Sequence, residues 1–177
     1  MVISCYVNYF CWYIYGDMIF SVQIKFGYLI GSCIFGLLIV IYLYFEIKKY
    51  LFDSILNTLI LITGTWALYR ALTIIIDDDR VVGKICIGTT FIIFVSPIKA
   101  IIKVIKEQNY TFIPIYNCYL SFIYSVCWLI YGIFITDFYI KFTNAIGIIL
   151  CLVQIFLYLK YKKKYPMVYS YHKYYCI

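Results

Sequence analysis

Six apolar runs, near residues 2–16, 24–45, 54–76, 81–105, 112–133 and 138–159, follow one another with only short polar punctuation between them. A helix needs about 20 apolar residues to cross the hydrocarbon core of a bilayer, and a soluble domain has no way to hide so many such runs in one core. With 66% hydrophobic and 13% charged residues in a chain of 177, the pattern predicts an all-α integral membrane protein whose length goes into spans and short loops. A water-soluble enzyme and a disordered binder are excluded on the same ground. The first run, at about 15 residues, is short for a span. It has no basic flank, and Trp12, Tyr15 and Gly16 form no small-residue cleavage site, so it reads as part of the bundle and not as a signal peptide.

The chain also repeats itself. Shifted by 116 positions, residues 11–42 align with 127–158 without a gap. The identities are Cys11/Cys127, Trp12/Trp128, Ile14/Ile130, Tyr15/Tyr131, Gly16/Gly132, Ile19/Ile135, Ile24/Ile140, Lys25/Lys141 and Phe26/Phe142. Ile30/Ile146, Gly31/Gly147, Ile39/Ile155 and Tyr42/Tyr158 complete them. Each copy carries two consecutive spans, which marks an internal duplication. The span at 81–105 precedes the second copy, and its counterpart 116 positions earlier would fall upstream of Met1. The span at 54–76 is unmatched. The expected architecture is therefore two parallel triple-helix-bundle repeats joined by a linker helix, with six of seven spans present. The expected divisions are 1–47 for the first repeat, 48–80 for the linker helix and its loops, 81–160 for the second repeat and 161–177 for a basic tail.

Charge follows this topology. An odd number of spans between the copies points both the same way through the membrane, as parallel repeats. Lys48, Lys49, Lys103, Lys106, Lys160, Lys162, Lys163, Lys164 and Lys173 fall on one side. Asp17, Asp77, Asp78, Asp79 and Asp137 fall on the other. By the positive-inside rule the lysine side, with the C-terminus, is cytosolic. The net charge of +7 is thus an orientation signal and not a sign of nucleic acid. Cys5, Cys11, Cys33, Cys86, Cys118, Cys127 and Cys151 lie in apolar runs without a metal-type pair and read as small core hydrophobes. No metal site, cofactor or catalytic arrangement is expected.

The second copy contains Phe94-Val-Ser-Pro-Ile98, Phe112-Ile-Pro114, Trp128-Leu-Ile-Tyr-Gly132, Asp137, Thr143-Asn-Ala-Ile-Gly147 and the stretch from Gln154 to Tyr158. In order and spacing these motifs closely resemble the SWEET sugar facilitators, and the first copy adds Trp12 to Gly16 and Gly31 to Tyr42. A sugar presents hydroxyls around a ring with apolar faces, so its site needs an amide that both donates and accepts and an aromatic surface to lie against. The resemblance implies that Asn144 and Trp128 line a central pocket, with Trp12 and Tyr28 as their counterparts in the first repeat. Tyr28 departs from the family, which usually has an asparagine there. It keeps one hydroxyl, loses the amide's second function and adds bulk, which points to a smaller pocket or a different sugar.

The resemblance further implies that Pro97 and Pro114 are hinge and gate prolines at the cytosolic ends of their spans, two of a ring of four. It also implies that Tyr15 and Asp137 close the outer side. Arg70, in the linker run, is expected to snorkel or to pair with a carboxylate. His172 and Pro166, in the tail, are given no transport role. The expected function is bidirectional uniport of a small sugar, a monosaccharide such as glucose, across the plasma membrane by alternating access. The expected partners are the sugar, the lipid bilayer and a homo- or hetero-oligomer. The alternative is a non-transporting truncated chain that assembles with a full-length paralogue.

Overall fold

Helices form where the apolar runs predict them. The computed structural model describes residues 2–47, 60, 63, 64, 67–69, 71 and 78–164. Its elements are α1 (Val2–Met18), α2 (Val22–Ile47), α3 (Asp79–Glu107), a 3-10 turn η1 (Tyr110–Phe112), α4 (Ile115–Phe134) and α5 (Phe138–Lys164). Each helix limit lies within a few residues of its expected place. The end of α5 runs on through Lys160 to Lys164, since lysine is a good helix former and the apolar pattern marks only the part meant for lipid. The start of α4 is later than expected because Pro114 takes the N-cap. A proline disfavours helical backbone in the residue before it, so Ile113 is extended and the turn η1 closes at Phe112, one residue earlier.

Four described helices are long and apolar enough to span a membrane: Val22–Tyr42, Asp79–Glu107, Ile115–Phe134 and Phe138–Lys163. The chain is a multi-pass integral membrane protein with an all-helical fold. α1, at 17 residues, reaches about 26 Å at the helical rise per residue. In the linker run, the described positions Ile60, Thr63, Gly64, Ala67, Leu68 and Tyr69 are helical. Ala71 is described as well; the rest of 54–76, with Arg70, lies outside the described residues, as do Lys48, Lys49, Asp77 and everything from Tyr165 on, including Pro166, His172 and Lys173.

The chain forms two compact units, Met1–Ile93 and Phe94–Ile177. In the first, α1 packs along α2; Cys11, Trp12, Ile14, Tyr15 and Ile24 are buried, as are Val82 and Cys86 of α3. In the second, α4 packs along α5. At one end of that unit Val104, Tyr110, Ile113, Cys118, Leu157 and Tyr161 form a core. Cys5, Cys11, Cys86, Cys118 and Cys151 are buried as expected, whereas Cys33 and Cys127 are exposed. That departure has a simple cause: a thiol is apolar enough to face lipid as readily as a core.

The two helix corners are copies of each other, 116 positions apart, bond for bond. At the end of α1, Ile19 N donates to Tyr15 O at 3.1 Å, Phe20 N to Asp17 O at 3.2 Å and Ser21 N to Gly16 O at 2.9 Å. At the end of α4, Ile135 N donates to Tyr131 O at 3.0 Å, Thr136 N to Ile133 O at 3.1 Å and Asp137 N to Gly132 O at 2.9 Å. Both are Schellman ends, in which the last carbonyls are satisfied by a residue in left-handed backbone. That residue is Phe20 in one copy (φ 54°) and Thr136 in the other (φ 57°). The next residue begins the following helix, so each corner turns the chain with no loop to spare. Ser21 Oγ accepts from Ile24 N at 3.4 Å and Asp137 Oδ1 from Ile140 N at 2.8 Å, N-caps in equivalent positions.

Such a turn brings the last helical glycine against the next helix. A methyl group on Gly16 would lie 2.7 Å from Ile24 Cγ2 and 2.7 Å from the Lys25 backbone nitrogen. On Gly132 it would meet Ile140 Cγ2 at 2.9 Å, with the other neighbours at 3.2 Å. Only side chains obstruct it there, whereas backbone obstructs it at Gly16. Both Gly16→Ala and Gly132→Ala should therefore lower stability in detergent micelles, by about 1–3 kcal/mol, with Gly16→Ala the worse. Thermal unfolding monitored by circular dichroism reads the order, and a larger loss at Gly132 would contradict this account of the corners.

Candidate functional site

The duplicated tryptophans sit in equivalent local frames. Trp12 meets Tyr15 edge-on at 5.6 Å and 88°, and Trp128 meets Tyr131 at 5.7 Å and 88°. An i, i+3 spacing places both rings on one face of the helix, just before the glycine that anchors the corner. Beyond that shared frame the two copies diverge.

In the second unit, Asn144 is buried on α5 and donates Nδ2 to Ile140 O at 2.8 Å. An asparagine amide has two N–H donors and an acceptor oxygen. Among the described residues this one amide N–H is all that Asn144 commits, so it keeps donor and acceptor capacity inside an apolar helix. Thr143 turns inward too, donating to Tyr139 O at 2.9 Å. Trp128 is half-buried and is met by Tyr124 at 6.1 Å and 64°. Behind them Gly147 lies against Ser125, whose Oγ is 2.9 Å from where a Cβ would be. Gln154 accepts from Cys118 Sγ at 3.5 Å.

In the first unit the equivalent of Asn144 is Tyr28, which is buried and stacked on Trp12, with ring centroids 5.5 Å apart and planes 16° apart. Trp12 is buried as well, and its Nε1 donates to Thr90 Oγ1 at 3.1 Å. Asn8, one turn earlier on α1, donates Nδ2 to Thr89 Oγ1 and to Thr90 Oγ1, both at 2.9 Å. The two threonine hydroxyls send their own protons to Cys86 O, at 3.1 Å and 2.8 Å. Their lone pairs are thereby left to receive Asn8 and Trp12. Sequence reading missed Asn8, Thr89 and Thr90. The available signal was Asn8 at i−4 from Trp12, on the same helical face, together with a threonine pair in an otherwise apolar run.

The gating candidates are placed as follows. Pro97 lies inside α3 and cannot donate to the carbonyl of Ile93; the two compact units divide directly after Ile93. Pro114 is exposed at the N-cap of α4, outside the helix proper. Tyr15 is buried near the end of α1, and Asp137 caps α5. Near the first corner Asp17 is ion-paired with Lys25, an exposed contact worth little on its own.

Comparison with known proteins gives a family and a fold. Residues 80–165 match the family model described as "Sugar efflux transporter for intercellular exchange". Bidirectional sugar transporter SWEET11 of Arabidopsis thaliana is 34% identical over 83 residues, covering 47% of this chain and 29% of that one. Sugar transporter SWEET1 of Drosophila pseudoobscura pseudoobscura is 29% identical over 153 residues, covering 85% and 68%. Bidirectional sugar transporter SWEET2b of Oryza sativa subsp. indica is 28% identical over 116 residues, covering 63% and 50%. These matches span between 29% and 68% of the relatives' lengths. A eukaryotic SWEET transporter solved at 3.7 Å has the same fold, with a TM-score of 0.81 at 21% identity, covering 92% of this chain and 79% of that chain.

The threonine pair offers a direct test of the first-unit network. Thr90 receives two donors and Thr89 one, and a buried donor without an acceptor is destabilising. Thr90→Val should lower stability by about 1–2 kcal/mol, the upper range for such bonds between membrane helices, and by more than Thr89→Val. Unfolding in mixed detergent micelles reads the difference; equal effects would mean that the network does not hold Trp12.

Proposed function

The chain belongs to the SWEET family, and from that premise we propose that it carries a small sugar, a monosaccharide such as glucose, across a membrane in either direction. The observation that carries this reading is Asn144, a buried amide with donor and acceptor capacity in hand, two turns of sequence-matched helix after the Trp128 corner. In an apolar span a polar group persists only where it has a partner or a purpose. A sugar hydroxyl can both receive from and donate to this amide, and the face of Trp128 can take the apolar side of the ring.

Transport is uncoupled in this proposal. The described acids Asp17, Glu46, Asp78, Asp79, Glu107 and Asp137 all stand at helix ends, where they are poorly placed to relay a proton through the bilayer. Pro97 acts as the hinge for alternating access, since inside its helix it cannot donate to the carbonyl of Ile93. Pro114, at the start of α4, assists from the same side. Tyr15 and Asp137 are the outer gating residues in this proposal, each beside the corner of its own repeat. The lysine-rich ends and the C-terminus face the cytosol, and the membrane is the plasma membrane. The carrier needs no cofactor and performs no catalysis.

Labelled-glucose uptake by cells that lack their own sugar carriers tests this. The wild-type chain should raise uptake, with no change when the proton gradient is collapsed. Asn144→Ala should cut uptake by at least about tenfold while surface insertion stays unchanged. Full uptake in the variant would reject Asn144 as the site; no uptake by wild-type chain that has reached the surface would reject the function.

A further inference from the structure

The lysines that close α3 and α5 are not equivalent to one another. α5 has 27 residues, which at the helical rise gives about 40 Å, about 10 Å more than the hydrocarbon core of a bilayer. It begins directly after the Asp137 corner, so the excess falls at its other end and carries Lys160, Lys162 and Lys163 to the level of the headgroups. The last turn of α3 is at the same level, because Val104 of α3, Tyr110 of η1 and Leu157 and Tyr161 of α5 share one buried core. Two of the lysines are seated on rings that belong to this meeting point. Lys103 Nζ stands 3.9 Å from the ring centroid of Phe112, the last residue of η1. Lys162 Nζ stands 5.4 Å from that of Tyr158, whose ring meets Tyr110, the first residue of η1, edge-on at 5.3 Å and 87°. One lysine from each helix thus flanks the turn. Lys160 rides on Tyr161 at 5.7 Å, but stands about 200° around the helix from Lys162. Among the described residues, neither Lys106 nor Lys163 has a ring beneath it. The acid at this end is Glu107, about half exposed and 4.0 Å from Lys103, too loose a pair to cancel the charge.

We propose that Lys103 and Lys162, seated on either side of η1, form a binding site for the phosphate of an anionic phospholipid. All of its parts lie within the second compact unit. An ammonium resting on a ring face keeps its full charge, and its N–H donors on the far side stay available to a phosphate oxygen. The rings are themselves fixed by the buried core under η1, so the two heads lose less freedom on binding than lysines free in solvent. Exposed Ile102 on α3 and exposed Phe156 and Leu159 on α5 lie on the membrane side of the pair, where the acyl chains of the same molecule run. That apolar flank selects a lipid over a free phosphate, which has no use for it. The site differs in kind from the general attraction of a basic surface for an anionic leaflet, which depends on the number of charges and not on where each is held.

The test removes the same charge from the same two helix ends in two ways. The purified chain in neutral detergent is titrated with phosphatidylglycerol or with phosphatidylcholine, and bound lipid is counted by native mass spectrometry. Phosphatidylglycerol should bind and phosphatidylcholine at the same concentration should not; equal binding of the two would overturn the proposal. Lys103→Gln combined with Lys162→Gln should weaken phosphatidylglycerol binding by about tenfold or more, whereas Lys106→Gln combined with Lys163→Gln should weaken it by less than about threefold. Equal losses would reduce the site to diffuse surface charge and overturn it. The single variants Lys103→Gln and Lys162→Gln, each expected to cost about threefold or more, carry the same comparison, so the result does not hang on the folding of one variant. Inorganic phosphate at the concentration of the lipid should leave the bound lipid in place; its displacement would overturn the assignment to a lipid.

Discussion

Everything in this fold depends on how closely two consecutive helices can approach at a corner that has no loop. Lipid gives helices no hydrophobic reason to associate, so their pairing comes from close packing and from the few polar groups they can satisfy between them. Gly16 and Gly132 permit that approach. The Schellman end that follows each of them satisfies the last carbonyls and starts the next helix within three residues. The left-handed residue in each corner is a phenylalanine or a threonine, not a glycine. The surrounding bonds therefore hold a backbone conformation that side chains of those types resist by about 1–2 kcal/mol.

Given two corners with the same backbone bonds, the chain surrounds the side chains above them differently. In the first repeat the tryptophan is closed in by Tyr28, Tyr15 and Thr90, and Asn8 joins the same hydrogen-bonded group. In the second, the tryptophan stays half-buried, and the amide of Asn144 bonds the carbonyl of Ile140 in its own helix. Duplication fixed the backbone frame, and the residue at one position, Tyr28 in one copy and Asn144 in the other, gives the two copies different surroundings. The proposed sugar chemistry follows from the second copy.

Much of this was legible before any coordinates. Helix positions followed from run length, because a bilayer demands about 20 apolar residues in helical form and punishes anything else. The shift of 116 positions foretold the twin corners, since Gly16/Gly132 and Ile24/Ile140 are the very residues in contact. The Phe20 and Thr136 corners were not legible, as neither residue announces left-handed backbone. Nor was the link from Asn8 to Thr89 and Thr90, which joins residues about eighty positions apart by a contact that only tertiary packing creates. Tyr28 could be seen as a departure in sequence, but its stacking on Trp12 depends on a rotamer and on the bracing of Tyr9. Pro114 was expected within its span and instead caps it, because an apolar run continues across a proline while a helix does not.

The most direct test of the central claim is sugar counterflow in liposomes that contain only the purified chain and lipid. Vesicles preloaded with unlabelled glucose should accumulate labelled glucose transiently, at the same rate with or without a proton gradient, and should do the same when the two sides are exchanged. Failure to exceed protein-free vesicles, by a chain whose helical content and insertion are intact, would contradict it.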